Sequence, residues 1–183
     1  MSKASLRKVM LSYRRELSKE EVVRNSQQIF TKIRPILEDK QSVMVYLSFQ
    51  NEVDTFALLD WLWEQKKNVA VPVCDTKAFE IFPSVLNSSR ELVHNKYGIL
   101  EPDIICTPDF CYDAVVIPGI AFDLSGNRIG FGKGYYDKFL STQKNNPLKI
   151  GLCHDFQLLS DIPSEPHDFC MDYIITERRT VRI

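Results

Sequence analysis

Apolar positions along this chain switch repeatedly between helical and strand periods. Leu6, Met10, Tyr13 and Leu17 recur at spacings of four, three and four, which predicts an amphipathic helix from Ser2 with that stripe buried. Ser18 followed by Glu21 has the form of a capping box. It predicts a second helix from Lys19 to Arg34 that buries Val22, Ile29, Phe30 and Ile33 and ends at Pro35. The β-branched and aromatic run from Ser42 to Phe49 reads as a strand, and Gln50-Asn51-Glu52 as the turn after it. Asp54 is placed to cap a third helix running to Lys67, with Phe56, Leu59, Leu62 and Trp63 inward, before a strand from Asn68 to Val73.

Between Cys74 and Pro108 the pattern weakens to short strands at Phe79–Val85 and Glu91–Val93 and turn chemistry over Tyr97–Pro102. It recovers as a strand at Ala114–Ile117, a helix at Tyr135–Gln143, strands at Leu148–Cys153 and Asp172–Thr176, and an edge strand at Thr180–Ile183. Strands alternating with helices predict an α/β fold: one three-layer domain over residues 1–183, with a largely parallel central sheet and helices on both faces. There is no internal repeat, low-complexity segment or linker.

Five of the seven glycines fall between positions 119 and 134. Gly126, Gly130, Gly132 and Gly134 form a loop between a strand and a helix, with Arg128 and Lys133 embedded. Successive N–H groups in such a loop make a concavity suited to phosphate. The spacing is neither of the familiar ones. Five residues separate Gly126 from Gly132-Lys133, one more than a P-loop allows, and Gly134 follows where Ser or Thr is required. Gly130, Gly132 and Gly134 give GxGxG instead of the dinucleotide GxGxxG. Spacing alone leaves two readings, a phosphate cradle or a glycine-rich hairpin without a ligand.

Composition narrows the class. A 44% hydrophobic, 26% charged chain with net charge −1 is an ordinary globular protein and not a general nucleic-acid binder. No run is long and apolar enough to span a bilayer, and MSKASLRKVM lacks the apolar core of a signal peptide, so a cytoplasmic location without membrane partners is expected. The five cysteines include no CxxC pair, which suits a reducing compartment. Residues 1–24 carry seven basic against three acidic side chains, either the solvated face of a helix or a phosphate clamp. Glu52, Asp137 and Asp172 stand where ligand-facing loops begin. Asp137 and Asp172 would make a magnesium pair if the fold joined them. His94, His154 and His167 form no metal pattern and read as structural.

The segment PGIAFDLSGNRIGFGKGYYDKFL, with KASLR, YLSFQNEVDT, YGILEP, GLCHDFQL and EPHDFCMDYIITE in that order, resembles the 5-formyltetrahydrofolate cyclo-ligase family, also called 5,10-methenyltetrahydrofolate synthetase, over essentially the whole chain. The resemblance implies ATP- and magnesium-dependent closure of 5-formyltetrahydrofolate to 5,10-methenyltetrahydrofolate, with ADP and phosphate released. In the mechanism proposed for the family, ATP phosphorylates the formyl oxygen, N10 closes the ring and phosphate departs. It further implies ATP contacts from Lys3, Ala4, Ser5, Leu6 and Arg7 and from Arg128, Ile129, Gly130, Phe131, Gly132, Lys133, Gly134, Tyr135 and Tyr136, with Lys133 catalytic. Leu47, Glu52 and the stretch Phe131, Gly132, Lys133, Gly134 and Tyr135 would meet the folate, and Asp137 and Asp172 would hold magnesium. Phe131 stands where some relatives carry a basic residue, and His154 where an aromatic is expected. Another small-molecule phosphotransferase, or a nucleotide- or folate-binding protein without turnover, are the competing readings.

Overall fold

The computed structural model describes residues 1–75, 77–78, 80–96, 98–166 and 168–183; the expectations placed on Phe79, Tyr97 and His167 lie outside them. Two helices come first, α1 (Lys3–Glu16) and α2 (Lys19–Leu37), then β1 (Ser42–Val45), α3 (Phe56–Glu64), β2 (Asn68–Asp75) and β3 (Glu80–Val85). Two short strands, β4 (Leu92–His94) and β5 (Leu100–Pro102), make an antiparallel ribbon. Next, β6 (Ala114–Pro118), β7 (Ala121–Asp123) and β8 (Arg128–Ile129) lead into α4 (Tyr135–Ser141). The remaining elements are β9 (Leu148–Leu152), β10 (Leu158–Leu159), β11 (Tyr173–Ile175) and β12 (Thr180–Arg182).

Among the described residues the central sheet has seven strands in the order β12-β11-β9-β6-β1-β2-β3. The inner strands run parallel, and β3 and β12 close the edges antiparallel. Parallel strands covered on both faces read as unbroken apolar runs, and Ser42–Val45 and residues 114–117 are buried throughout. Val43 and Val45 meet Ile33, Leu37, Leu59 and Leu62 of α2 and α3 on one face. On the other, Met44, Val115 and Ile117 meet Phe122 and the α4 residues Phe139 and Leu140. The expected α/β class, with helices on both faces of a mostly parallel sheet, is thus observed. Phe122 is fully buried against glycine: a Cβ on Gly119 or Gly151 would fall 2.4 or 2.5 Å from its ring.

Topology places the site. From β1 the chain moves to β2 on one side, whereas from β6 it moves to β9 on the other. Connections that diverge in this way leave a crevice beyond the carboxyl ends of β1 and β6, where open α/β sheets bind ligands. A small sheet of β10, β7 and β8 lies beside the crevice, and α1 packs Leu6 and Met10 onto its Ala121 and Ile129.

Several local expectations change. The buried stripe of α1 is Leu6, Met10 and Arg14, while Tyr13 is 52% exposed, because the helix leans on the small sheet and the Glu52 turn and so buries positions four apart. The Ser18–Glu21 capping box forms, but α2 runs past Pro35 to Leu37. Interior proline costs about 3 kcal/mol, and full burial of Leu37 returns about 1.5–3 kcal/mol. Strand β1 stops at Val45 instead of Phe49. Beyond it the backbone is satisfied by side chains, with Thr55 Oγ1 donating to the Tyr46 carbonyl at 2.7 Å. In α3 the buried residues are Leu58, Leu59, Trp61 and Leu62, with Phe56 and Trp63 only half-buried. The small sheet had no counterpart in the sequence pattern.

Candidate active site

The crevice is a cleft of about 1140 Å³. Its base is made where the central strands end: Tyr46, Leu47, Phe49 and Glu52 follow β1, Pro72 and Cys74 come from β2, and Pro118 ends β6. Arg128 to Gly134 and the first turn of α4 form one wall, and Lys3 and Arg7 reach in from α1. Glu165, Pro166, Asp168 and Phe169 complete the mouth.

The glycine loop is tied to α1. Arg7 Nε donates to the Gly130 carbonyl at 2.7 Å, and Gly132 takes φ 90°, a conformation side chains resist, with its absent Cβ only 3.2 Å from Arg7 Cζ. Arg128 supports the loop from below. Its side chain is 7% exposed, lies 5.5 Å from the Tyr136 ring centre, and donates from Nη2 to Asp137 Oδ2 at 3.0 Å. Lys133 and Phe131 stand exposed at the loop's tip. Lys3 donates to Asp168 at 2.7 Å and Glu165 at 3.0 Å. Desolvation lowers the Lys3 pKa, but these two carboxylates outweigh it and hold the ammonium above its ordinary value.

The opposite end is buried. Glu52 Oε2 accepts from the Phe49 N–H at 3.0 Å and Oε1 lies 3.5 Å from Arg14 Nη1. Burial pushes the Glu52 carboxyl up, with the Arg14 charge and the Phe49 N–H pulling the other way. Burial also raises the Tyr46 and Tyr136 hydroxyls well above their ordinary range, so both stay neutral donors. His154 braces the turn: its Nε2 donates to the Asn51 carbonyl at 3.1 Å, and its Nδ1 accepts from Asn25 Nδ2 at 3.2 Å.

Of the residues singled out in the sequence, Lys3, Arg7, Leu47, Glu52, Asp137 and all of Arg128 to Tyr136 line one cleft. Four do not. Helical periodicity that turns Lys3 and Arg7 inward leaves Ala4 and Ser5 exposed and buries Leu6 beneath α1. Asp172 precedes β11 at the amino end of the sheet, away from the strand ends that form the cleft. There its Oδ2 accepts from the Lys149 N–H at 2.7 Å and pairs with Lys149 Nζ at 2.9 Å. The fold therefore does not join Asp172 to Asp137 in the cleft wall, and no cluster of three or more His, Cys, Asp or Glu suited to a metal occurs among the described residues. Asp137 alone fits a magnesium ion that takes one carboxylate beside phosphate and water. Its oxygens accept from Arg128 and the Phe169 N–H, and a carboxylate keeps further lone pairs.

Sequence reasoning missed Arg14, Tyr46, Phe49, Glu165 and Asp168. Arg14 did carry a signal, a charge four residues beyond Met10 on the buried stripe. No helix among the described residues is long and apolar enough to cross a membrane.

Comparison with known proteins identifies the family. Residues 1–177 match the model of the 5-formyltetrahydrofolate cyclo-ligase family. A 5-formyltetrahydrofolate cyclo-ligase of Mycoplasma genitalium is 32% identical over 96% of this chain and 98% of its own. The solved 5,10-methenyltetrahydrofolate synthetase of Aquifex aeolicus superposes with a TM-score of 0.84 at 32% identity, covering 100% of this chain and 93% of that one. The synthetase of Mycoplasma pneumoniae gives 0.78 at 27% identity, covering 97% and 99%. The chain belongs to the 5-formyltetrahydrofolate cyclo-ligase family.

Proposed function

We propose that the chain, acting as one catalytic domain, converts 5-formyltetrahydrofolate and ATP to 5,10-methenyltetrahydrofolate, ADP and phosphate. The observation carrying this reading is a single cleft of about 1140 Å³ whose glycine-loop wall is cationic while its other end holds Glu52 beside Leu47 and Tyr46. Pockets for a drug-sized ligand are about 300–1,000 Å³, so this cleft lies at the large end and leaves space beyond one such ligand.

The N5-formyl group is an amide whose oxygen leaves poorly. Transfer of the terminal phosphoryl group of ATP to that oxygen makes it a leaving group. N10 then bonds to the formyl carbon, the N10–H bond breaks with its proton passing to solvent, and the carbon–oxygen bond breaks to release phosphate. Lys3, Arg7 and the loop N–H groups hold the triphosphate. Lys133 neutralises charge on the group in flight, a role that positioning and electrostatics can fill without covalent help from the protein. Arg128 holds Asp137 in place, and Asp137 is the side chain that would bind magnesium. Magnesium held there would supply positive charge to offset the negative charge of the phosphates. Glu52 accepts hydrogen bonds from the pterin and Leu47 packs on it. Ala4, Ser5 and Leu6 serve by fixing the helix that carries Lys3 and Arg7.

The test is to mix protein, 5-formyltetrahydrofolate and magnesium-ATP and follow the methenyl absorption band together with phosphate. Equimolar, folate-dependent appearance of both is expected. Phosphate release indifferent to folate would point to another phosphotransferase, and neither product from folded, ATP-binding protein to a silent binder.

A further inference from the structure

Arg14 has no part in the reading above, yet it occupies an unusual position. It is 3% exposed at the core-facing site of α1 that follows Leu6 and Met10. Its Nη1 reaches Glu52 Oε1 only at 3.5 Å, and its buried Nη2 has no hydrogen-bond partner among the described residues. Stability does not account for such a residue. A buried ion pair is often no better than apolar side chains of the same volume, and an unmatched buried N–H is a cost. Catalytic contacts, by contrast, are often long before ligands arrive and tighten when they bind.

Its neighbours connect the two ends of the cleft. Arg14 Cζ lies 5.8 Å from the centre of the Phe131 ring, at the exposed tip of the glycine loop. Asn51, next to Glu52, donates from Nδ2 to the carbonyls of Arg14 and Leu17 at 2.9 and 3.0 Å. The turn bearing Glu52 is thus fastened to the end of α1, whose beginning is fastened to the loop through Arg7 and Gly130.

We propose that Arg14 is a positioning residue for the folate end: its guanidinium backs the Glu52 carboxylate, and Phe131 closes over that guanidinium when the loop engages its ligands. The inference rests on Glu52 being the folate contact. Arg14 also keeps Glu52 an acceptor. Burial favours the protonated carboxyl, and the groups facing it are Arg14 from α1, the Phe49 N–H and Tyr46 after β1, and Tyr136 from α4, with His154 beside Arg14. Arg14 is the cation whose charge and hydrogen bond pull Glu52 down against its burial, so removing it lets Glu52 take up a proton at a higher pH.

The test compares Arg14→Met, Arg14→Lys and Glu52→Gln by folate KM, ATP KM and kcat between pH 6 and 8.5. Arg14→Met is expected to raise folate KM about 10–100-fold near pH 6, with the loss shrinking as pH rises and ATP KM unchanged. Arg14→Lys restores the charge and therefore the pH profile. It also covers the case in which the methionine variant fails to fold. A purely structural role would lower the melting temperature but leave the pH profile of folate KM as in the parent. That result, or an unchanged folate KM in a folded Arg14 variant while Glu52→Gln weakens folate, overturns the proposal. If Glu52→Gln itself leaves folate KM unchanged, the assignment of Glu52 falls first and the role of Arg14 with it.

Discussion

The two ends of the cleft are built on opposite plans. At the glycine-loop end the charged groups range from the exposed Lys133 to the half-buried Lys3, Arg7 and Asp137, with only the Arg128 side chain buried, and several cations already have anions: Lys3 with Glu165 and Asp168, and Arg128 with Asp137. At the Glu52 end they are buried and braced by Asn51, His154 and Asn25; each end keeps one buried guanidinium nitrogen without a partner among the described residues, Arg14 Nη2 here and Arg128 Nε there. Exposed charge is cheap to hold and easily screened by salt. Buried charge is costly but keeps its geometry. The difference suits a division of labour in which the folate is recognised by a rigid pocket and the triphosphate is gripped by groups that exchange partners as it arrives.

Lys133→Ala is the sharpest way to break this contrast. On the role proposed for Lys133, kcat should fall about 10²–10³-fold, as when one electrostatic stabiliser is lost. ATP affinity, shared with Lys3, Arg7 and the loop backbone, should fall much less. Equal losses in kcat and in ATP binding measured by calorimetry would make Lys133 a mere binding residue.

Asp137 and Asp172 then sharpen it. Asp137→Asn should raise the magnesium needed for half-maximal rate by at least about tenfold, a loss seen even for residues that only support a metal ligand. Asp172→Asn should leave that requirement unchanged and act on stability alone, by about 1 kcal/mol or less, since it removes a half-exposed charge partner from Lys149, which keeps Asn146 and the Pro147 carbonyl. A magnesium titration of both variants decides. A matching shift in Asp172→Asn would mean that the fold rearranges to bring this residue to the metal.

Away from the cleft, Gly151→Ala probes the packing beneath it. Its Cβ would stand 2.5 Å from the Phe122 ring in a core without slack, so unfolding free energy should fall by about 1–3 kcal/mol. The substitution touches neither wall, and rate per folded molecule should be kept. Phe122→Leu in the same chain should recover part of the loss; a melting temperature unchanged by Gly151→Ala would show that the ring moves aside freely.

How much of this was legible in the sequence depends on how local each signal is. The Ser18–Glu21 cap and the existence of β1, β6 and α4 rest on contiguous signals and were read correctly, whereas β1 ends four residues earlier than expected and β7 and β8 occupy part of the stretch read as a plain glycine loop. Pairing between distant segments was not legible. Asp172 looked like a partner for Asp137 because both are acidic and both begin an element, yet a parallel strand presents its start and its end to opposite edges of the sheet. Within α1, reading residues 3–7 as one contact segment ignored the helical turn that divides Lys3 and Arg7 from Ala4, Ser5 and Leu6. Arg14 and Tyr13 exchanged places for a related reason: hydrophobicity ranks tyrosine inside, while the buried Glu52 demands a cation there. That carboxylate is 38 residues away in the chain.

His154 gives the most specific effect at the buried end, a difference in how stability depends on pH. Burial holds its imidazole below the ordinary value of 6.5, so below that pH the unfolded chain takes up a proton that the folded chain refuses. The stability this group contributes is therefore whole above about pH 6.5 and is lost as pH falls toward the folded value. His154→Phe supplies the aromatic expected at this position and stays beside Phe156, on which the imidazole stacks at 5.9 Å. It forfeits the bonds to Asn51 and Asn25, so the variant should be less stable at pH 7 by about 1–3 kcal/mol, yet lose less than the parent between pH 7 and 5. Urea unfolding at both pH values measures the two slopes. Parallel slopes would mean that His154 is protonated in the folded chain, and with it that the turn carrying Glu52 is wetter than the hydrogen bonds to Asn51 and Asn25 imply.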